Sequence, residues 1–385
     1  MKAILRTLLD PMLDGLARRI TPRIPPPEPG LVPWGDSLWF ASPNLWEPTV
    51  AIALRDLVRP GQTVYDVGAN LGGLTSLAAR LVGPCGTVCS FEASPRIIGK
   101  LQSNVIAQGH RNVTVYHNAI YARSNELIPI FHGGHLNDSI YSTHSVSDAP
   151  AHYVPSLALD DFASWSGIVP ALVKMDIEGA EFDALQGATE LLTAHRPHMI
   201  LEQTPTDERC LDLLRASGYR AIDLATYSVV ESYRDLERRG GILNILFFHR
   251  EREKELPYAL PLRIETLRSF GSGEFEKSGA GTSCKIGQLE AGRYLLDVDM
   301  SALGHQNSMM CGVCVDRTQI FRYHGYSKLL ADAYRSWVFD LDRPTSVNLF
   351  FDFVSGHDDT FEIRGARLAR VEGIRVPVTS RLVAP

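Results

Sequence analysis

The stretch Val64-Tyr65-Asp66-Val67-Gly68-Ala69-Asn70-Leu71-Gly72-Gly73 constrains this chain more than any other. An apolar run enters a glycine-rich turn, and a helical run, Leu74–Leu81, follows at once. Glycine in such a turn lets the backbone come close to a ligand. Set against the dinucleotide pattern GxGxxG, Gly68 and Gly73 fall on the outer glycines, but Asn70 stands at the middle one. The middle glycine is where a pyrophosphate presses on the backbone. A side chain there argues against NAD or FAD and suits a ligand without phosphates. A tight turn of no function can look the same, so the motif needs company.

That company lies downstream. From about Ala51 to Arg250, short β-type runs alternate with helical stretches, the pattern of a mainly parallel sheet covered by helices on both faces. The expected strands are Thr63–Val67, Thr87–Phe91, Val113–Asn118, Ala171–Met175, His198–Leu201, Ala221–Leu224 and Ile242–His249. The last two are expected to pair antiparallel, separated by a long polar, hairpin-like insert, Ala225–Gly240. The second strand ends in Glu92, about 20 residues beyond the turn, where an acid can take both hydroxyls of a ribose. The third ends at Asn118, placed for an adenine edge, and the fourth runs into Lys174, Asp176 and Glu178. The fifth ends Glu202-Gln203.

Taken together, DVGANLGG (66–73), the strand ending in Glu92, KMDIEGAEFDALQGA (174–188) and RPHMILEQ (196–203) resemble the FkbM family of methyltransferases over roughly Trp46–Glu202. The resemblance implies a class I, Rossmann-like methyltransferase sheet. It also implies S-adenosylmethionine-dependent O-methylation of a hydroxyl on a carbohydrate or other natural product. By the same resemblance, Asp66, Gly68, Asn70 and Glu92 fall on cofactor positions, as does Glu47 as an upstream acid, and Asp176 and Glu178 form the family's DxEG signature. In the expected strand order, 3-2-1-4-5-7-6, Asp176 and Glu202 sit side by side at the transfer edge.

A hydroxyl acceptor must lose its proton, which calls for a general base or a metal. Asp176 and Glu202 could share a Mg²⁺ with Gln203 as a further ligand. Alternatively, one of them, or a histidine of the loop His132–His135 such as His135, serves as the base. Lys174 is expected either to pair with Asp176 or to polarise the acceptor. The loop from His132 to Ser139 suits a pocket wall. A different class of function, a non-catalytic scaffold that keeps the nucleoside pocket and binds glycans or partners, is the alternative.

The remainder of the chain sets the boundaries. Residues 1–45 read as an amphipathic, basic helix followed by a proline-rich connector, with residues 1–20 suited to docking or to peripheral membrane contact. Residues 46–255 form the Rossmann-like domain. Residues 262–385 alternate with period two (Tyr294, Leu296, Val298; Trp337, Phe339, Leu341) and are expected to form an all-β sandwich or jelly roll. Phe321–Tyr326 offers it a carbohydrate platform. A formal charge of −6 and the absence of an Asn/Asp-Pro-Pro-Tyr/Phe signature after strand four argue against a nucleic-acid substrate. No apolar run reaches the ~18 residues of a membrane span. The six cysteines, with Cys311 and Cys314 in a lone CxxC, read as reduced thiols. The expected location is cytoplasmic, and a homo-oligomer is compatible with all of this.

Overall fold

A computed structural model describes residues 47–133, 138–142, 149–239, 243–278, 281–303, 308–315, 318–326, 333–341, 343–353 and 360–374. The expected N-terminal helix and His135 lie outside these residues.

Strands β1 (Thr63–Val67), β2 (Thr87–Phe91) and β3 (Val113–Tyr116) form where β-branched and aromatic residues cluster. The short β4 (Ala119–Ile120), β5 (Leu127–Ile130) and β6 (His152–Leu157) make a small side sheet in the order β4-β6-β5. The main sheet continues with β7 (Leu172–Met175), β8 (His198–Gln203), β9 (Tyr219–Asp223) and β10 (Leu243–His249). Its order is β3-β2-β1-β7-β8-β10-β9, the 3-2-1-4-5-7-6 arrangement read from the sequence. All pairings are parallel except those of β10, which runs antiparallel to both β8 and β9.

Helices α1 (Pro48–Leu57), α2 (Gly73–Val82), α3 (Ile98–Ala107), α4 (Leu159–Ser166), α5 (Glu181–Gln186) and α6 (Arg209–Ala216) cover the sheet. The pleat decides which residues meet which helix. Val64, Leu172 and Ile200 turn to α1 and α2. Tyr65, Val173 and Met199 turn to the other face, where Phe162, Ala184 and Leu211 of α4, α5 and α6 meet them. Fully burying a residue such as Val50 or Leu54 of α1 contributes roughly 1.5–3 kcal/mol over leaving it exposed.

Three expectations change. β3 stops at Tyr116, freeing His117 and Asn118 for the sheet edge. β8 runs on to Gln203 because β10 extends alongside it, with Leu243 opposite Gln203. The insert after β9 begins as a hairpin, with Val229 bridging antiparallel to Ile222, but it is not polar throughout: Tyr227, Val230, Tyr233 and Leu236 are buried, and Tyr233–Arg239 forms a 3₁₀ turn. Its charged residues alternate with core residues, so composition alone misread it.

Beyond residue 257 lie β11 (Tyr258–Gly271), β12 (Glu276–Ser278), β13 (Gly281–Leu289), β14 (Gly292–Leu303), β15 (Ser308–Val315), β16 (Thr318–Tyr326), β17 (Ala333–Leu341), β18 (Thr345–Phe353) and β19 (Thr360–Ile374). They form two antiparallel sheets, β11-β19-β14-β17 and β12-β13-β18-β15-β16. One cluster draws on both, including Tyr294, Leu296 and Phe339 from the first and Val347 and Leu349 from the second. The other face of the first sheet, through Leu295, Val338, Ala369 and Val371, joins the cluster around α1. At its centre Arg293, 3% exposed, forks onto Asp56 of α1 and onto Asp340 of β17, and donates to the Tyr227 hydroxyl at 2.9 Å. The Tyr258 hydroxyl donates to Asp56 at 2.7 Å. Among the described residues, no helix is long and apolar enough to cross a membrane.

Removing one partner of a buried ion pair strands the other without water or counter-charge. Arg293→Ala is therefore expected to cost about 3–5 kcal/mol, read as a fall in the urea midpoint. An unchanged midpoint would mean that the junction contributes little to stability.

Candidate active site

The strand ends after β1, β2 and β7 meet closely. Gly68 sits at φ +74°, and a Cβ built there would lie 1.7 Å from the carbonyl oxygen of Asp176. The two loops thus pack backbone against backbone, and the Asp176 N–H donates to Val67 O at 3.0 Å. The N–H groups of Gly68 and Ala69 both donate to Phe91 O at 3.0 Å. Asn70 lies at φ +50°, a region that Asn tolerates better than most residues. This conformation sends its N–H to Glu92 Oε2 at 2.8 Å. Asn70 thus has a backbone role that a glycine template does not reveal.

Glu92 is 7% exposed, and its second oxygen accepts the Ser94 N–H at 2.7 Å. Burial pushes its carboxyl up to about 7, against the lowering effect of these two hydrogen bonds. A pocket opens here. Gly68, Asn70, Glu92, Asn118, Asp176 and Glu178 line it, together with Asp138, Ser139 and Ile140.

Four expected site residues stand outside this lining. Asp66 is 2% exposed; its Oδ2 accepts the Thr75 hydroxyl at 2.5 Å. Lys174 lies opposite it in register, with Nζ 3.7 Å from Asp66 and 3.6 Å from Asp176, and donates to Gly68 O at 3.2 Å. Glu202, on the adjoining strand end, shares a hydrogen bond with Asp176. Glu47 precedes α1 and faces the same group. The pleat explains the convergence: Asp66, Lys174, Asp176 and Glu202 continue the alternation of Val64, Leu172 and Ile200, which face α1. Asp66 and Glu47 are therefore positioned to support the pocket from behind.

Burial alone would lower the Lys174 ammonium, but Asp176, Asp66, Glu47 and Glu202 outweigh it and keep it charged. Burial would raise Asp176; Lys174 and the Glu202 hydrogen bond hold it below its usual value. Glu202 moves the other way, raised by burial and by Asp176, so the shared proton resides on Glu202. Burial also lifts Glu47 and Glu178 to about 7.

This donor set does not fit a resident Mg²⁺ between Asp176 and Glu202. Lys174, 3.6 Å from Asp176, already places a positive charge beside it. Gln203, expected as a further ligand, instead accepts from the Tyr233 hydroxyl at 3.2 Å and donates to Glu202 O at 2.5 Å. Among the described residues, no group of three or more His, Cys, Asp or Glu could hold a metal ion. His132 approaches Asp138 at 3.3 Å and lies beside His152.

Asp138 and Ser139 belong to the loop His132–Ser139 read as a pocket wall, and both line the pocket, as does Glu178, which has a φ of +56°. Ser94 went unread, because it lies in the loop after β2 and gives no periodic signal.

The comparison with known families matches residues 66–221 to the methyltransferase FkbM domain. The match ends within β9 and leaves the antiparallel sheets outside it. Among solved structures, the chain is similar to the FkbM methyltransferase of Methylobacillus flagellatus KT, with 14% identity, 61% of this chain and 60% of that one covered, and a TM-score of 0.35. It is similar to a precorrin-6y C5,15-methyltransferase from Geobacter metallireducens GS-15, with 13% identity, coverages of 52% and 86%, and a TM-score of 0.32. It is also similar to Aeropyrum pernix fibrillarin in complex with natively bound S-adenosyl-L-methionine, with 14% identity, coverages of 53% and 75%, and a TM-score of 0.32. No curated protein matches.

The Gly68 contact can be separated from its backbone conformation. Gly61 also has positive φ, +81°, but a Cβ there meets nothing within 4 Å. Both Gly61→Ala and Gly68→Ala should lose about 1–2 kcal/mol for the left-handed conformation. Only Gly68→Ala should lose more, through the clash with Asp176. Equal thermal midpoints for the two variants would contradict the close approach.

Proposed function

We propose that the FkbM domain uses S-adenosylmethionine to methylate a hydroxyl of a carbohydrate or other natural-product acceptor. One observation carries the reading: Glu92, a buried and hydrogen-bonded carboxyl, lines the same pocket as Asp176, whose carboxyl Lys174 holds below its usual value. When bound, the cofactor supplies a methyl group already activated by its sulfonium charge.

The chain's own residues then have separable tasks. Each Glu92 oxygen takes one backbone N–H, leaving lone pairs for the ribose hydroxyls. Asn118 lines the same pocket and is assigned to the adenine edge. The tight Gly68 turn lets the ligand lie against bare backbone. Asp176, kept ionised by Lys174, supplies negative charge where the ligand is cationic. Glu178 is the better general base, because a carboxyl raised to about 7 both loses and accepts a proton near neutrality. The abundance of carboxylates suits a neutral hydroxyl acceptor and repels an anionic one.

Titration with S-adenosylmethionine tests the pocket. Glu92→Ala should weaken binding at least roughly tenfold, the worth of a charge-assisted hydrogen bond. In the wild type the free pocket holds a proton on Glu92 below about pH 7. Ribose hydroxyls need the ionised form, so affinity should fall as pH drops below that point, by up to about tenfold per unit. Glu92→Gln should flatten this dependence. Affinity that ignores both substitutions would remove Glu92 from the site.

An acceptor screen by mass shift, run with and without EDTA, tests the chemistry. On any acceptor found, Glu178→Gln should lower kcat about 10²–10⁴-fold and leave cofactor affinity within threefold. Asp176→Asn should also lower turnover more than affinity. Activity should survive the chelator. Loss in EDTA with rescue by Mg²⁺ would reinstate a metal, and binding without turnover on any acceptor would favour a scaffold.

A further inference from the structure

The pocket wall is tied down at two adjacent residues. Asp138 has a side chain only 3% exposed, yet it belongs to a loop. Its Oδ2 accepts from the Ser94 hydroxyl at 2.5 Å and from Arg96 Nε at 3.1 Å, and lies 3.3 Å from His132 Nδ1. Its Oδ1 accepts from the Gly133 N–H at 3.2 Å and from Arg96 Nη2. The next residue, Ser139, donates its hydroxyl to the Glu178 carbonyl at 2.9 Å and bridges to Phe131 through both backbone groups.

These ties lead to two different pocket residues, Glu92 by way of Ser94 and Glu178 directly. Ser94 is 1% exposed and acts twice: its hydroxyl holds Asp138, and its N–H holds Glu92. The carboxylate proposed for the ribose and the wall that faces it are therefore organised by one residue. Ser139 makes the corresponding link to Glu178, holding the turn in which that residue adopts its left-handed conformation. Asp138, Ser139 and Ile140 line the pocket. Burial would raise the Asp138 carboxyl, but hydrogen bonds from Arg96 and Ser94 outweigh it and hold it below its usual value. The anchor is thus charged at any pH near neutrality, and its hydrogen bonds are of the stronger, charge-assisted kind.

We propose that Asp138 is a positioning residue that clamps this wall to Ser94 and Glu92 and so sets how slowly a bound nucleoside leaves. The inference rests on the nucleoside-pocket reading above. Asp138 makes its contacts to protein groups, so its effect reaches the ligand through Ser94, Glu92 and the wall. Loss of the clamp should speed escape more than it slows capture, because the open pocket is already accessible while retention needs the wall in place.

S-adenosylhomocysteine, used as the probe with the full-length chain in stopped-flow and calorimetric titrations, tests this. Asp138→Ala should raise the dissociation rate roughly tenfold or more, the loss expected for charge-assisted hydrogen bonds. The association rate should stay within threefold. Arg96→Gln, on a partly exposed side chain that can be changed without threatening the fold, should raise dissociation by a smaller factor, up to about fivefold. The double variant should be no worse than Asp138→Ala alone, because both act through one anchor. Additive effects, or a loss confined to association, would overturn the clamp, as would wild-type dissociation in Arg96→Gln together with a folded Asp138→Ala. If the wild type itself fails to bind the probe, the nucleoside-pocket reading falls first, and the clamp falls with it.

Discussion

The buried ammonium of Lys174 is the interaction on which this edge of the sheet depends. Asp176, Asp66, Glu47 and Glu202 all act on it electrostatically. Two like charges 4 Å apart repel by roughly 1–4 kcal/mol, depending on how much water screens them. Four uncompensated acids would therefore either stay protonated or push the strand ends apart. Lys174 lets Asp66 and Asp176 stay in place, and the proton shared by Asp176 and Glu202 settles one more charge. The arrangement costs little in backbone terms, because the pleat already points these side chains to one face.

The same solution recurs at the other end of α1. The helix leads from Glu47, beside the acid cluster, to Asp56, which Arg293 of β14 holds in a buried fork. Ten residues of helix span about 15 Å. A rigid rod of that length ties the antiparallel sheets to the edge of the pocket. The apolar contacts of α1 lie between these two charged ends, and they include residues from both the main sheet and the first antiparallel sheet. The C-terminal sheets thus back a helix whose first residues stand over Lys174. They are more closely joined to the main sheet than a domain on a linker, though they keep a second core of their own.

Much of this was legible in the sequence, for reasons that differ by element. β1 and β2 are apolar, β-branched and bounded by glycine or a charge, so their limits were read correctly. The strand order followed from the resemblance, and with it the adjacency of Asp176 and Glu202. Glu92 and Gly68 were legible because a strand tip and a tight turn leave a local signature. What stayed hidden depends on tertiary contact. The buried tyrosines of the insert after β9 look polar in composition and are core in fact. The fork of Arg293 joins residues 237 positions apart, a pairing no local pattern carries. Asn70 was read through its side chain, whereas the structure uses its positive φ and its N–H.

The acids of the site also explain why a turn that departs from the dinucleotide template can still serve a nucleoside. A pyrophosphate brings negative charge to the β1 turn, where Glu92 accepts the Asn70 N–H and Asp176 lines the same pocket. Asp176 would repel it, as would Glu92 wherever it is ionised. A cationic ligand meets the reverse situation. Burial leaves Glu47, Glu92 and Glu178 each with a carboxyl raised to about 7, so near neutrality the empty site keeps protons that soften its own repulsion. A positive ligand stabilises the ionised forms and drives those protons off, so the pocket acquires negative charge as the cation arrives. Charge held back in this way costs less than permanent negative charge in a half-buried cleft, because no carboxylate is desolvated before its partner is present. The Asn70 turn and the surplus of carboxyls thus favour the same proposed ligand, a nucleoside that is cationic and carries no phosphate.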